Sequence, residues 1–312
     1  MIHAILTIDD IPSANTPAIV DYLNEKGIQA VMFMEGRRLP LYSEQAVYAL
    51  RHGMIVGNHS ENHPSFDRLT LEEAIREIEV CDQRLDRLYE SAGVERRYKP
   101  FRFPYGNKGG ENKAALQRYL AEHGFHKLDD RQIPYPWWKE SGLDRDIDTY
   151  WTFDFMEYRI RRDSDFTLED VFKRIEDPHP GAGAALLKDP GRHILLLHAH
   201  DETEELTPKY YQLFIDRLLQ GGVVFDRPEF LPANLAAERA ETRLYGHFIQ
   251  NGREKAMNLC ALFPYIFWSV SGIIQTVKIF GAGRSPAGPQ KRRSFPWQKY
   301  LFSISARSIP AA

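Results

Sequence analysis

Hydrophobic and polar positions along roughly the first three quarters of the chain switch repeatedly between a strand-like and a helix-like period. Ala4-Ile5-Leu6-Thr7-Ile8 is an unbroken apolar run closed by Asp9-Asp10, and residues 2–8 are predicted as a buried strand. Residues 17–26 carry a helical pattern with Asn15 or Thr16 as cap and Gly27 as stop, and residues 28–34 return to strand. The cycle repeats with a helix over 43–52, broken by Gly53, and a short strand over 54–57 that ends just before His59. Thr70-Leu71-Glu72-Glu73 is a capping box. It opens a long amphipathic helix with Leu71, Ile75, Ile78, Leu85 and Leu88 on one face and Gly93 at its end. Strand, helix and strand are then predicted over 101–103, 112–123 and 124–128, and residues 194–198 form a further apolar run that ends in His198.

Strands alternating with helices predict an α/β fold with a parallel sheet. Asp9, Asp10, His59, Arg102 and His198 all fall at or just past strand ends. In a closed β/α barrel, that places them together on the rim formed by the loops after the strands. A chain of 312 residues with 43% hydrophobic content can bury one large core, which fits a single domain over 1–232 followed by a tail. The formal charge of -3, with no basic stripe interleaved with aromatics, argues against a nucleic-acid partner. Cys81 and Cys260 are the two cysteines, and both are expected to be free thiols. The chain runs from Met1 straight into the first strand without a basic leader, so a cytoplasmic location is expected.

His59 and His63, four residues apart, can return to the same side of one helical turn, and with a carboxylate they make a three-ligand set for a divalent cation. Taken singly these features are ordinary, since exposed helices carry paired histidines and acidic residues cap helices. Their order along the chain is more specific. Thr7-Ile8-Asp9-Asp10, His59-Ser60-Glu61-Asn62-His63, Arg102-Phe103-Pro104-Tyr105-Gly106 and Leu196-Leu197-His198 follow one another as do four of the five motifs of the polysaccharide deacetylase family, which the chain resembles over about residues 1–232. This family is also called the NodB homology domain or carbohydrate esterase family four.

The resemblance implies a distorted (β/α) barrel of the NodB type and a metal-dependent hydrolase. Such an enzyme removes an N-acetyl group from an amino sugar, oligosaccharide or polysaccharide by attack of metal-bound water. It implies Asp10, His59 and His63 as ligands, Asp9 as general base with Arg102 as its partner, and the backbone N–H of Tyr105 as an oxyanion donor, with Gly106 allowing the tight turn. His198 is implied as general acid and Leu196 as a wall for the acyl methyl; His200, two residues on, is an alternative acid. The fifth motif is degraded between Asp144 and Glu157. Asp154 is chosen there to tune His198, and Trp151 as a pocket wall, while Trp137, Trp138 and Trp151 read equally well as packing aromatics. Zn²⁺ is the first choice of ion, although such a ligand set also accepts Co²⁺, Ni²⁺ or Mn²⁺. The partner is then a carbohydrate or a small N-acylated molecule. Two alternatives stay open: a deformylase or amidase acting on a small or lipid-linked substrate at the same site, and a silent binding domain.

Residues 233–312 lie outside the resemblance and form a C-terminal extension. Within it, the 22 residues 256–277 carry no charge and are bracketed by Arg253, Lys255 and Lys278. At about 1.5 Å per residue this stretch is long enough to cross a bilayer, but Asn258, Pro264, Gly272 and Gln275 interrupt it. It is expected either to associate with a membrane or to pack as a helix. The end of the chain, with Lys291-Arg292-Arg293 amid Gly, Pro and Ser, is expected to be disordered.

Overall fold

A computed structural model describes residues 1–231. In chain order the elements are β1 (Ile2–Ile11), α1 (Thr16–Glu25), β2 (Val31–Met34), α2 (Ser43–Arg51), β3 (Ile55–Asn58), α3 (Leu71–Ala92), α4 (Lys113–Glu122) and β4 (Lys127–Leu128). They are followed by α5 (Pro136–Glu140), β5 (Phe153–Asp154), α6 (Leu168–Glu176), β6 (Gly191–His198), α7 (Asp201–Leu206), α8 (Tyr210–Gln220), β7 (Val223–Phe225) and β8 (Phe230–Leu231). The apolar segment 256–277 and the rest of the C-terminal extension lie outside the described residues. Among the described residues no helix is long and apolar enough to cross a membrane.

β1 is the central strand, as its burial on both faces requires. The parallel order is β3-β2-β1-β6-β5, with β7 pairing the first residues of β1 on the edge that β2 takes over from Thr7 onward. These strands form an open arc of a distorted (β/α) barrel; among the described residues they do not close. Two predicted strands differ. Phe101 makes one parallel bridge to Asn58, and the chain then turns at Pro104, which has no N–H to extend a ladder. The stretch predicted over 124–128 shrinks to β4, which pairs antiparallel with β8 outside the main sheet.

Side-chain alternation sorts the core into two faces. Leu6, Ile8, Met32, Val56, Leu195 and Leu197 point outward, onto Ile19, Leu23, Ala46, Phe214 and Leu218 of the flanking helices. Val31, Phe33 and Ile194 point inward and pack with Leu128, Ile133 and Trp138. The alternation that sends Ile5 inward carries Thr7 and Asp9 with it. In β6 it sends Leu196 and His198 to the face of Ile194. α3 begins with the predicted capping box at Thr70 and Glu73 and ends where Gly93 takes φ 68°. Its buried stripe is Ala74, Ile78, Cys81, Leu85 and Leu88, whereas Leu71 and Ile75 are only partly buried. Cys81 is a free, buried thiol; Cys260 lies outside the described residues.

Candidate active site

The C-terminal ends of β1, β3 and β6, with the turn after Phe101, bring Asp9, Asp10, His59, His63, Arg102 and His198 into one region. Adjacent residues of a regular strand face opposite sides, so Asp9 and Asp10 can both reach it only if the strand breaks its rule. It does so at Asp10, where φ is 60° and the β1–β2 register shifts between Ile8 and Ile11. Left-handed backbone recurs at Ser60 (φ 68°), His63 (φ 57°) and Tyr105 (φ 57°). Non-glycine residues seldom adopt it, and a concentration of such residues marks a site whose geometry is held against local preference.

His59 and His63 meet as expected, but not across a helical turn. The segment between them is a bend, with Pro64 disfavouring right-handed helix at His63 and Ser60 Oγ accepting a bond from the His63 N–H at 3.1 Å. The rings lie edge to face, with centroids 4.9 Å apart.

Asp10 Oδ1 stands 3.3 Å from His63 Nε2 and 3.6 Å from His59 Nε2, and has no hydrogen-bond partner among the described residues although it is buried. His59 Nδ1 donates to the carbonyl of Arg102 at 2.9 Å; a carbonyl only accepts, so Nδ1 carries the proton and Nε2 faces the carboxylate. Burial, with His59 beside it, pulls the His63 imidazole down to about 4, so that ring is neutral at physiological pH. Burial opposes the charge on Asp10, yet the bond from His200 and the nearby His198, His63 and His59 hold its carboxyl well below the usual range. Two imidazole nitrogens and a carboxylate oxygen whose ligand atoms all lie within 4.8 Å of one another suit a cation. For bonds of about 2.1 Å in a tetrahedral shell, neighbouring ligands should be about 3.4 Å apart, and the two Asp10 Oδ1 separations straddle that value. The residues therefore fit a divalent ion.

Asp9 is held differently. Arg102, fully buried, donates from Nη1 to Asp9 Oδ1 and to Thr7 Oγ1, both at 2.7 Å, and its plane lies over Phe33 at 4.4 Å and near Trp151 at 5.7 Å. Asp9 Oδ2 is left 3.4 Å from His59 Nε2. Tyr105 is 67% exposed at the mouth, with its ring edge-on to His63 at 4.5 Å. Gly106 has φ 64°, and a Cβ there would sit 2.6 Å from the Trp151 ring, so Trp151 caps this turn from one side. Leu196 is buried on the inner face beside Thr7 in the sheet. Of the other tryptophans, Trp138 is a core residue whose indole N–H donates to Asp130 at 2.7 Å.

Of the carboxylates that tune His198, Asp154, expected from the sequence, acts at longer range and raises it less than Glu157. Asp154 belongs to the same cluster, but its Oδ1 accepts the Met156 N–H at 2.8 Å. The direct partner of His198 is Glu157, whose Oε1 lies 2.5 Å from the His198 N–H and 3.1 Å from Nδ1. Burial works against the charged ring, but Glu157 outweighs it and pushes His198 up to about 10. Burial raises Asp154 to about 6 despite the nearby His198. An acidic residue three positions after Asp154 was the only available signal for Glu157, and it lay within the stretch where the motif is degraded. His200 lies beyond the end of β6, and its Nε2 meets Asp10 Oδ2 at 2.6 Å, which orients the carboxylate.

Residues 2–127 match the family model described as polysaccharide deacetylase. The resemblance read from the motifs is thus shown over this stretch of the chain. Among curated proteins, the chain is 33% identical over 119 residues to the peptidoglycan-N-acetylmuramic acid deacetylase PdaC of Bacillus subtilis, covering 37% of this chain and 24% of that protein. It is 29% identical over 182 residues to chitin deacetylase 1 of Cryptococcus neoformans var. grubii, covering 55% of this chain and 38% of that protein. The chain thus spans well under half the length of these curated relatives. The crystal structure of the polysaccharide deacetylase Bc1974 from Bacillus cereus superposes with a TM-score of 0.51 at 20% identity, over 72% of this chain and 91% of that one, a likeness of fold.

Proposed function

We propose that the protein is a metal-dependent deacetylase that hydrolyses the N-acetyl group of an amino sugar within an oligosaccharide or polysaccharide. The observation that carries this reading is the meeting of Asp10, His59 and His63 around a bare carboxylate oxygen, beside an Asp9 clamped by a buried arginine. The relatives, which are named as deacetylases of peptidoglycan and chitin, support a carbohydrate substrate.

A divalent ion held by Asp10, His59 and His63, Zn²⁺ being our first choice, would polarise the acyl carbonyl and lower the pKa of water. Asp9 takes the proton of the attacking water through Oδ2, the oxygen Arg102 leaves free. The backbone N–H of Tyr105 donates to the developing oxyanion. His198, kept protonated by Glu157, gives its proton to the departing nitrogen, which would otherwise leave as a poor amide anion. Trp151 and Leu196 border the acyl group.

The test is acetate release from N-acetylated chito-oligomers by purified protein, before and after chelation and after readdition of Zn²⁺. Release that disappears with chelator and returns with metal is expected. Formate or another acid released from small amides, with no acetate from oligomers, would favour an amidase. Absence of both stoichiometric metal and turnover would leave a binding domain.

A further inference from the structure

Arg37 is a charged side chain at the mouth for which the hydrolysis proposed above has no use. It sits in the turn after β2, and three backbone bonds lock that turn to the site: Glu35 N–H to Ile11 O at 2.9 Å, Gly36 N–H to Ser60 O at 3.0 Å and Arg37 N–H to Glu61 O at 2.8 Å. Gly36 packs against Glu61 so closely that a Cβ there would lie 2.0 Å from a Glu61 carboxylate oxygen. Arg37 therefore moves with the segment that carries His59 and His63. Its Nε donates to Glu35 Oε2 at 2.5 Å, and no other side-chain partner binds the guanidinium among the described residues. The pair is asymmetric. The Glu35 side chain is 3% exposed and that of Arg37 is 52% exposed, so the buried carboxylate anchors the arginine while solvent meets a cation with free N–H groups. Glu61, whose backbone carbonyl accepts the Arg37 N–H, has its carboxylate paired with Arg84 at 2.9 Å. Arg37 bears electrostatically on His63, Asp10 and the Tyr105 hydroxyl, and exposed Arg68 bears on Tyr105 as well. An anchored guanidinium fork suits an anionic oxygen group.

We propose that Arg37 is a specificity-determining residue that binds an anionic substituent, carboxylate or phosphate, on the sugar whose N-acyl group enters the site. This rests on the deacetylase reading. The experiment compares kcat/KM of the wild type, Arg37→Gln and Arg37→Lys on three N-acetylated oligosaccharides of equal length: neutral, bearing a carboxylate on an ether substituent, and bearing a phosphate monoester. The wild type is expected to prefer a charged substrate by about tenfold, the worth of one charge-assisted contact. Arg37→Gln should abolish the preference and Arg37→Lys should restore part of it, while raised salt should weaken it in the wild type. The arm with the larger preference identifies the anion. No wild-type preference, or equal losses on all three substrates, would mean that Arg37 only tethers its turn. Acetate release from the neutral substrate would then leave the deacetylase reading standing, whereas no release from any substrate overturns both.

Discussion

Two acid–histidine clusters lie close together in this molecule, Asp10–His59–His63 and Asp154–Glu157–His198, and the same residue types are prepared in them for opposite tasks. In the first, the side chains stand 3.3 to 3.6 Å apart around an oxygen without a partner, and His63 is pulled down to about 4. In the second, Glu157 closes directly on both the ring and the backbone N–H of His198 and pushes it up to about 10. A neutral His63 imidazole beside an ionised carboxylate suits a cation, whereas an imidazolium locked to a carboxylate suits the giving of a proton. The difference comes from spacing. The 3.3 Å approach of Asp10 to His63 makes no hydrogen bond and leaves burial and His59 in control of that ring, whereas the bond from His198 to Glu157 overrides burial.

Four measurements would break or sharpen this contrast. The largest effect is expected from Asp10→Ala, which removes a ligand from the first cluster; acetate release should fall by about a thousandfold and bound metal, measured by elemental analysis, should be lost. Activity that persists with metal content intact would end the assignment of this cluster as the cation site.

The second concerns a histidine that has no carboxylate partner in either cluster. His193 is buried between Thr152 and Tyr135, and burial lowers it from 6.5 to about 4. Its folded-state value lies below the unfolded one, so the unfolded chain takes up the proton first as pH falls. Stability from this group is full above about pH 6.5 and is lost as pH drops toward 4, by about 3 kcal/mol in all. Urea midpoints recorded across that window should decline less steeply in His193→Gln than in the wild type. Equal slopes would show that burial alone does not set a histidine in this interior.

Third, Glu157→Gln should lower kcat about tenfold and move the alkaline limb of its pH profile to lower pH, because His198 then loses its proton more readily. An unmoved limb would detach Glu157 from the acid, and the same shift produced instead by Asp154→Asn would restore the partner expected from sequence.

The smallest effect belongs to a change remote from both clusters. Thr70→Ala removes the N-cap of α3 and should cost about 1 kcal/mol in denaturant unfolding, with metal content and the pH limb unaltered. If either readout moved, α3 would be shown to set the geometry of the His59–His63 segment through the bond from Asn58 Nδ2 to Ile78 O at 2.9 Å.

Much of the architecture could be read along the chain. The run before Asp9, the capping box at Thr70 and Glu73, the stop at Gly93 and the strand ending in His198 are local signals, and the elements formed where those signals fell. Phe101–Arg102–Phe103 shows where such reading stops. Its alternation is that of a strand, with both phenylalanines packed outward and the arginine inward, yet Pro104 ends the ladder after one bridge. The proposed ligands were legible because their spacing and order along the chain are distinctive.

By itself, then, the sequence determined which residues would stand at the strand ends, because strand and helix periods and turn residues act within a few positions of one another. Only the tertiary structure decided how they are used: that Asp10 leaves the strand's alternation, that His59 and His63 converge through left-handed residues, that His200 orients Asp10, and that Glu157 rather than Asp154 grips His198. Such contacts, like the 2.6 Å approach of His200 to Asp10, join segments up to 190 residues apart. Protonation follows from such distances and from burial, and neither is a property of local sequence.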